Sequence, residues 1–290
     1  MLGKLHGAIA AAVTPLRDHG RSLDEASVAP LIRFLAEGGM DGVLTCGTTG
    51  EGVLLSVAER RRMTELCLEG RPPGFAVAVH AGAQTTGDTV ELALHARDAG
   101  ADAVAVIAPP YFPLDEQELC DHFRRAAGAC DPLPFYIYEF IGRSGYPVPI
   151  PVIERLRDEV SNLTGLKVSD TPFEAVKPYL LDGLDVFIGF EPLVLEGLAA
   201  GAVGAVSGLA SVWPEVTAEL VHRKADAAGA RVNALRDALH GLSLPAVAKE
   251  MLVDKGVLAH ADVRLPLRRL TDDERTRVAS VSLDPARWLP

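Results

Sequence analysis

The stretch GVLTCGTTGEG (residues 42–52) starts as a short apolar run and ends as a loop crowded with glycine and threonine. The run shows no polar alternation and stops at a glycine, which reads as a strand buried on both faces. Within LTCGTTGEG (44–52), three glycines and three threonines share nine positions. Glycine lets a backbone approach a ligand closely and present its N–H groups, and the hydroxyls of Thr48 and Thr49 can donate and accept. Such a loop suits an anion such as a carboxylate, although glycine and threonine also build plain turns. It carries neither the G-x-x-x-x-G-K-[ST] pattern of a P-loop nor the G-x-G-x-x-G of a dinucleotide site.

Seven further runs of the same kind flank it: GAIAAAVTP (7–15), FAVAVHAG (75–82), AVAVIAPP (103–110), PFYIYEF (134–140), LTGLKVSD (163–170), DVFIGFE (185–191) and GAVGAVSGL (201–209). Their alanine content is high for strands. Segments of helical period lie between the first seven runs. SLDEASVAPLIRFLAEGG opens with Ser22 and Glu25, SVAERRRMTELCLEG with Ser56 and Glu59, and TPFEAVKPYLLDG with Thr171, Pro172 and Glu174. Each predicts a capping box, with Pro172 placed where a missing N–H costs nothing. Gly38, Gly70, Gly100 and Gly183 mark the expected helix ends.

Eight strands alternating with helices, without a linker or a shift of composition, predict an α/β chain folded as a closed (β/α)8 TIM barrel rather than an open doubly wound sheet. The barrel is expected over residues 1–215. The segments after it, among them LPAVAKEMLVDKG and LTDDERTRVASV, hold more helix than one barrel unit needs. Residues 216–290 are therefore read as a C-terminal helical extension packed on the barrel in the same structural unit.

With a formal net charge of −11 and a pI near 5.2, the chain does not suit a polyanion partner, because nucleic-acid binding rests on Lys and Arg neutralising phosphates. A small-molecule ligand is expected instead. Cys46, Cys67, Cys120 and Cys130 share no C-x-x-C spacing and read as free thiols in a reducing compartment. No run reaches the ~18 apolar residues of a membrane span. The N-terminal MLGKLHGAIAAAVTPLRDHG, broken by Pro15, lacks the form of a secretory leader. A cytoplasmic location is the expectation, with no membrane partner.

Three positions inside the strand–loop map carry candidate chemistry. Lys167 interrupts an apolar strand and is expected near the C-terminal mouth of the barrel. Burial disfavours a charged amine, and a neutral lysine amine attacks carbonyls to form a Schiff base. Lys167 is also read as an ordinary strand-edge residue or as an ion-pair partner of Asp170. Tyr136 and Tyr138 have the same parity in the fifth run and so share one face. A tyrosine hydroxyl beside a lysine–carbonyl adduct can shuttle protons, and Arg143 in the next loop can grip a carboxylate. Taken singly, Tyr138 reads as a core aromatic and Arg143 as a surface charge. His80 ends the third run within reach of the mouth. Cys46 lies beside the glycine–threonine loop, either as a reactive thiol or as a small packed residue. No H-E-x-x-H and no Cys/His ligand spacing is present, so no metal is expected.

Taken in order, AAVTPL near the start, GTTGEG after strand two, PPYF after strand four, Y-x4-R-S-G after strand five, GLK in strand six, GF after strand seven and VRLPLRRLTDDE near the end resemble the dihydrodipicolinate synthase and N-acetylneuraminate lyase family of class I pyruvate aldolases. The resemblance spans nearly the whole chain. It implies a barrel in which Lys167 forms the Schiff base with pyruvate, needing no cofactor. It also implies that Tyr138 relays protons, that Thr48 is hydrogen-bonded to that tyrosine, and that Thr49 helps hold the pyruvate carboxylate. Gly189 and Val206 fall where the family lines the keto-acid pocket, and Arg143 where its synthases bind the carboxylate of the aldehyde.

Two departures from the family pattern bear on substrate. PPYFPL places Phe112, which has no transferable proton, where the synthases have a tyrosine that reaches in from a neighbouring subunit; either Tyr111 just before it or water substitutes, or the relay and hence the reaction differ. YEFIGRSG replaces the usual YNVPSRTG, which alters the pocket around Glu139 and Phe140. The resemblance implies an enzyme most like 4-hydroxy-tetrahydrodipicolinate synthase, acting on pyruvate and aspartate semialdehyde. An aldolase or dehydratase for a 2-keto-3-deoxy sugar acid is the alternative. A catalytically silent barrel that binds a keto acid is the alternative of another class. The resemblance also implies a homotetramer, a dimer of dimers with the PPYF loop at the tight interface.

Overall fold

The computed structural model describes residues 5–282. Eight parallel strands close into a barrel: β1 (Gly7–Ala11), β2 (Gly42–Thr45), β3 (Ala76–His80), β4 (Ala103–Ile107), β5 (Phe135–Glu139), β6 (Leu163–Val168), β7 (Asp185–Ile188) and β8 (Gly204–Ser207). Each strand pairs with its neighbours in the chain, and β8 pairs with β1 to complete the circle. All eight lie within the apolar runs read from the sequence.

Between and after the strands stand α1 (Val28–Glu37), α2 (Val57–Gly70), α3 (Thr86–Ala99), α4 (Glu116–Cys130), α5 (Ile141–Ser144), α6 (Ile150–Glu159), α7 (Phe173–Val176), α8 (Val194–Ala199) and α9 (Pro214–His222). Then follow α10 (Asp226–Ala238), α11 (Leu244–Asp254) and α12 (Asp272–Ser282). No helix among the described residues is long and apolar enough to cross a membrane.

The strand alanines have a packing reason. Ile9, Leu44, Ala78, Ala105, Tyr136, Phe187 and Val206 belong to one buried cluster that fills the barrel interior. The rings of Tyr136 and Phe187 meet edge to face with their centroids 5.8 Å apart. Two large aromatics in so narrow a space leave room only for small residues opposite, so alanine here is a volume match. A second, larger cluster joins the outward faces of the strands to the helices. It includes Leu235 of α10, Met251 and Leu252 of α11 and Val278 of α12.

Helix starts follow the sequence only in part. The box of Ser56 and Glu59 forms, with the Glu59 N–H donating to Ser56 Oγ at 3.2 Å and the Ser56 N–H to Glu59 Oε2 at 2.9 Å. Ser22 and Glu25 make no box. Ser22 pairs instead in a small hairpin of Leu16–Arg17 with Ser22–Leu23, which consumes its backbone, and α1 starts later, at Val28. Thr171 caps nothing either: α7 begins after Pro172 without a side-chain cap and lasts four residues. Pro178, lacking an N–H, turns the continuation into a tighter 3-10 turn over Lys177–Tyr179. Gly100 ends α3 in the left-handed conformation, with φ 84°. Gly38 ends α1 at φ −75°, while Gly70 is the last residue of α2 and Gly183 lies beyond the helical turn it was expected to close.

Candidate active site

The site is built at the C-terminal ends of β5 and β6. Tyr138 and Lys167 are direct register partners on these strands. Because alternate strand residues share a face, Tyr136 and Tyr138 lie on one side of β5, and Lys167 stands beside the upper ring. Lys167 is buried, at 6% exposure, and its Nζ lies 3.9 Å from the centroid of the Tyr138 ring. No carboxylate among the described residues forms an ion pair with it. Asp170 in particular turns away and accepts the Ile141 N–H at 2.9 Å, which removes it as the partner of Lys167.

The Tyr138 hydroxyl and Thr48 Oγ1 are hydrogen-bonded at 3.2 Å, joining β5 to the loop after β2 across 90 residues of sequence. Phe140 stacks on one side of the tyrosine ring at 6.2 Å, and His80 meets it edge-on at 5.8 Å. His80 Nδ1 lies 3.1 Å from the Cys46 carbonyl oxygen, which can only accept, and 3.5 Å from Arg60 Nη2, which can only donate; the shorter contact puts the proton on Nδ1 and leaves Nε2 bare. Burial pushes the imidazole pKa down to about 3, and the nearby Arg60 and Lys167 charges add to the shift. His80 is thus a neutral brace behind Tyr138.

The loop after β2 is held by its own chain. A Cβ on Gly50 would come within 2.9 Å of the Ala12 carbonyl oxygen, and one on Gly52 would collide with the Cys46 carbonyl. These glycines therefore admit backbone against backbone. The left-handed positions fall to Cys46 and Glu51, both at φ 57°, a cost of roughly 1–2 kcal/mol each. Thr14 Oγ1 donates to the Gly50 carbonyl at 2.6 Å. Glu51 is fully buried and pairs with Lys249 of α11, Oε1 to Nζ 2.5 Å, while its other oxygen accepts the Arg264 N–H at 2.7 Å. α11 and the segment that follows it thereby hold the loop that carries Thr48 and Thr49.

Thr49 is buried, and its Oγ1 faces Gly208, where a Cβ would stand 3.1 Å from it. The turn bearing Gly208 is tied down by the buried Glu191, which accepts Ser207 Oγ at 2.7 Å and the Leu209 N–H at 3.0 Å. Burial raises the Glu191 pKa, but Arg236, bonded at 2.8 Å through Nε, outweighs it and keeps the carboxylate ionised. Gly189 leaves the end of β7 with its N–H on the Val168 carbonyl at 2.7 Å. Val206 and Lys167 line a cavity of about 20 Å³ with Tyr136 and Phe187 below them.

Lys167, Tyr138, Thr48, Thr49, Gly189 and Val206 thus converge on one end of the barrel. Arg143, Tyr111 and Phe112 do not join them in the single chain. Arg143 is exposed, lies across the Phe140 ring at 5.2 Å and donates to the Gly142 carbonyl. Tyr111 is 83% exposed at φ 85°, packed edge to face with Phe112, itself 70% exposed. Cys46 is fully buried, and burial raises its pKa, so the packed reading holds. Sequence reasoning missed the supports: Glu51, Lys249, Glu191, Arg236 and Thr14. Of these, Lys249 carried a visible signal, a charge inside the apolar LPAVAKEMLVDKG.

The comparisons agree with this architecture. The model of the Dihydrodipicolinate synthetase family matches residues 4–282. A 4-hydroxy-tetrahydrodipicolinate synthase of Syntrophus aciditrophicus is 32% identical over 285 residues, covering 95% of this chain and 96% of that protein. The crystal structure of dihydrodipicolinate synthase from Aquifex aeolicus superposes with a TM-score of 0.89 at 26% identity, covering 96% and 97% of the two chains. Proteus mirabilis N-acetylneuraminate lyase superposes with a TM-score of 0.87 at 27% identity, covering 96% and 98%. With the family pattern matched from end to end and the barrel shared, the chain belongs to the dihydrodipicolinate synthetase family, whose members are pyruvate-dependent lyases.

Proposed function

We propose that the chain makes or breaks a carbon–carbon bond through a Schiff base between Lys167 and the keto carbon of pyruvate. The observation that carries this reading is the buried Lys167 amine against Tyr138, whose hydroxyl is bonded to Thr48. The amine adds to the keto carbon and water leaves, giving an iminium. Its positive nitrogen accepts the electron pair released when the pyruvate methyl loses a proton, and the resulting enamine attacks an aldehyde. Hydrolysis returns the lysine, and the reverse sequence cleaves the same bond. Tyr138, oriented by Thr48, carries protons to and from the substrate oxygen, while Thr49 with the loop backbone holds the pyruvate carboxylate. Gly189 and Val206 shape the keto-acid pocket. No cofactor is required.

The preferred second substrate is aspartate semialdehyde, as for 4-hydroxy-tetrahydrodipicolinate synthase, with Arg143 binding its carboxylate. A 2-keto-3-deoxy sugar acid is the second reading. It is favoured by Phe112, which cannot pass a proton, and by Arg143 lying along Phe140. We further propose a cytoplasmic homotetramer in which the exposed Tyr111 and Phe112 pack against a second copy.

Intact-mass spectrometry after borohydride reduction with pyruvate, followed by peptide mapping, tests the chemistry. A pyruvyl adduct on Lys167 that is absent from Lys167→Ala is the expected result. Thermal stabilisation by pyruvate without an adduct or turnover would instead identify a silent keto-acid-binding barrel. Turnover of aspartate semialdehyde against cleavage of 2-keto-3-deoxy sugar acids separates the two enzymatic readings.

A further inference from the structure

Glu139 follows Tyr138 on β5 and Asp170 follows β6, and both carboxyl groups are buried. Each holds one end of the segment that bears Arg143. Asp170 Oδ1 accepts the Ile141 N–H at 2.9 Å, at its start, and Glu139 Oε2 accepts the Val148 N–H at 2.8 Å, at its end. The remaining oxygens, Glu139 Oε1 and Asp170 Oδ2, are buried without another hydrogen-bond donor. The two carboxyl groups lie close enough to interact, and neither can donate while both are ionised.

Among the described residues, no cation is paired with either carboxyl group. Tyr179 is, among the described residues, the further titratable group that acts on the pair, and its hydroxyl donates to the Val148 carbonyl at 3.0 Å. Tyr138 and Lys167 occupy the opposite, inward faces of their strands. Arg143 is exposed over Phe140, and Tyr146 of the same segment donates to the Pro109 carbonyl. Burial pushes both carboxyls above the usual carboxylate range, and the Val148 and Ile141 N–H bonds do not offset it.

We propose that Glu139 and Asp170 share one proton, and that this proton positions the Arg143 segment at the barrel mouth. With the proton present, one carboxyl donates to the other and both ends of the segment stay clipped. Without it, two adjacent buried carboxylates repel, and the segment loosens while Lys167 and Tyr138 beneath stay in place. Glu139 and Asp170 are thus positioning residues that make the fit of the second substrate depend on pH. That consequence rests on the Schiff-base reading above, whereas the shared proton does not.

Hydrogen–deuterium exchange of the full-length protein, followed by mass spectrometry of peptides spanning 140–148, tests the clip. Each pH unit above the pKa multiplies the deprotonated fraction tenfold relative to the protonated one. Exchange in the wild type is therefore expected to accelerate roughly tenfold, beyond the intrinsic rate, between about pH 7 and about pH 9. Glu139→Gln, whose amide donates permanently to Asp170, is expected to remove that acceleration, as is Asp170→Asn. Exchange that follows only the intrinsic rate in the wild type, or equal acceleration in the folded variants, overturns the proposal. Should both variants fail to fold, the infrared carbonyl band of a buried protonated carboxyl in the wild type decides. Its loss over the same range supports the proposal, and its absence at neutral pH overturns it.

Borohydride labelling with pyruvate is run on the same samples. Equal labelling of Lys167 in wild type and Glu139→Gln, with a Michaelis constant for aspartate semialdehyde that rises with pH only in the wild type, is the expected pattern. Missing labelling in both proteins would count against the Schiff-base reading and leave the exchange result standing. Normal labelling without pH-dependent exchange would overturn the positioning role alone.

Discussion

Lys167 and Tyr138 are register partners on adjacent strands, and the lysine nitrogen lies 3.9 Å from the centre of the tyrosine ring. The ring presents its negative face to the amine, while its hydroxyl is turned toward Thr48. One side chain thereby touches both the lysine amine and the Thr48 hydroxyl.

Tyr138→Phe separates these two roles, because it keeps the ring and deletes the hydroxyl. Turnover is expected to fall about 10²–10⁴-fold, the usual contribution of a positioned acid–base group. Borohydride trapping on Lys167 is expected to survive. Steady-state kinetics beside adduct mass spectrometry measure the two effects, and equal loss of both would assign the hydroxyl to Schiff-base formation itself.

Thr48→Val removes one hydrogen bond from the tyrosine hydroxyl and leaves it in place. A single such bond contributes about 0.5–1.5 kcal/mol, so a loss of roughly 2- to 12-fold in kcat is expected. A loss as large as that of Tyr138→Phe would make Thr48 a proton carrier as well as an orienting group.

Lys249→Met strands the fully buried Glu51 carboxylate beneath the loop. Breaking a buried pair on one side costs about 3–5 kcal/mol, whereas replacing both charges is close to neutral. Urea denaturation is expected to show that large loss for Lys249→Met and recovery of most of it in Glu51→Gln/Lys249→Met. Pyruvate trapping in the folded single variant reports how far the Thr48–Thr49 loop has shifted.

Stability should peak near pH 6.5. Burial holds the His80 pKa down to about 3 and that of His122 down to about 4. Both lie below the unfolded value of about 6.5, so stability is lost as pH falls from there, by up to about 1.4 kcal/mol per unit for each histidine. Glu139 has the opposite sign: raised to about 8, it contributes stability at low pH that is lost as pH rises toward that value. Below about pH 6.5 the two histidines outweigh the Glu139–Asp170 pair, and above it the pair acts without them. Urea midpoints across this range are expected to show a shallower acid slope for His80→Gln and a flatter alkaline side for Glu139→Gln.

All four cysteines are buried, and burial pushes Cys67 and Cys130 up to about 12. The native protein is expected to give no rapid reaction with a thiol reagent at neutral pH, and all four thiols only in denaturant. A fast native thiol at Cys46 would place it in the accessible part of the site.

The sequence by itself determined the strand order, the helix-terminating turn at Gly100, and the shared face of Tyr136 and Tyr138. These are properties of local period and backbone conformation, which a short window contains. It also singled out Lys167, because one charge in an apolar strand breaks a local pattern. Only the tertiary structure decided which distant groups meet. Closing the barrel brings Thr48 to Tyr138, carries Lys249 under Glu51 and turns Asp170 toward Glu139 instead of Lys167. It also leaves Arg143 and Tyr111 outside the cluster. Such meetings depend on which faces of separate elements are buried against one another, and side-chain pairing across a closed core has no period along the chain.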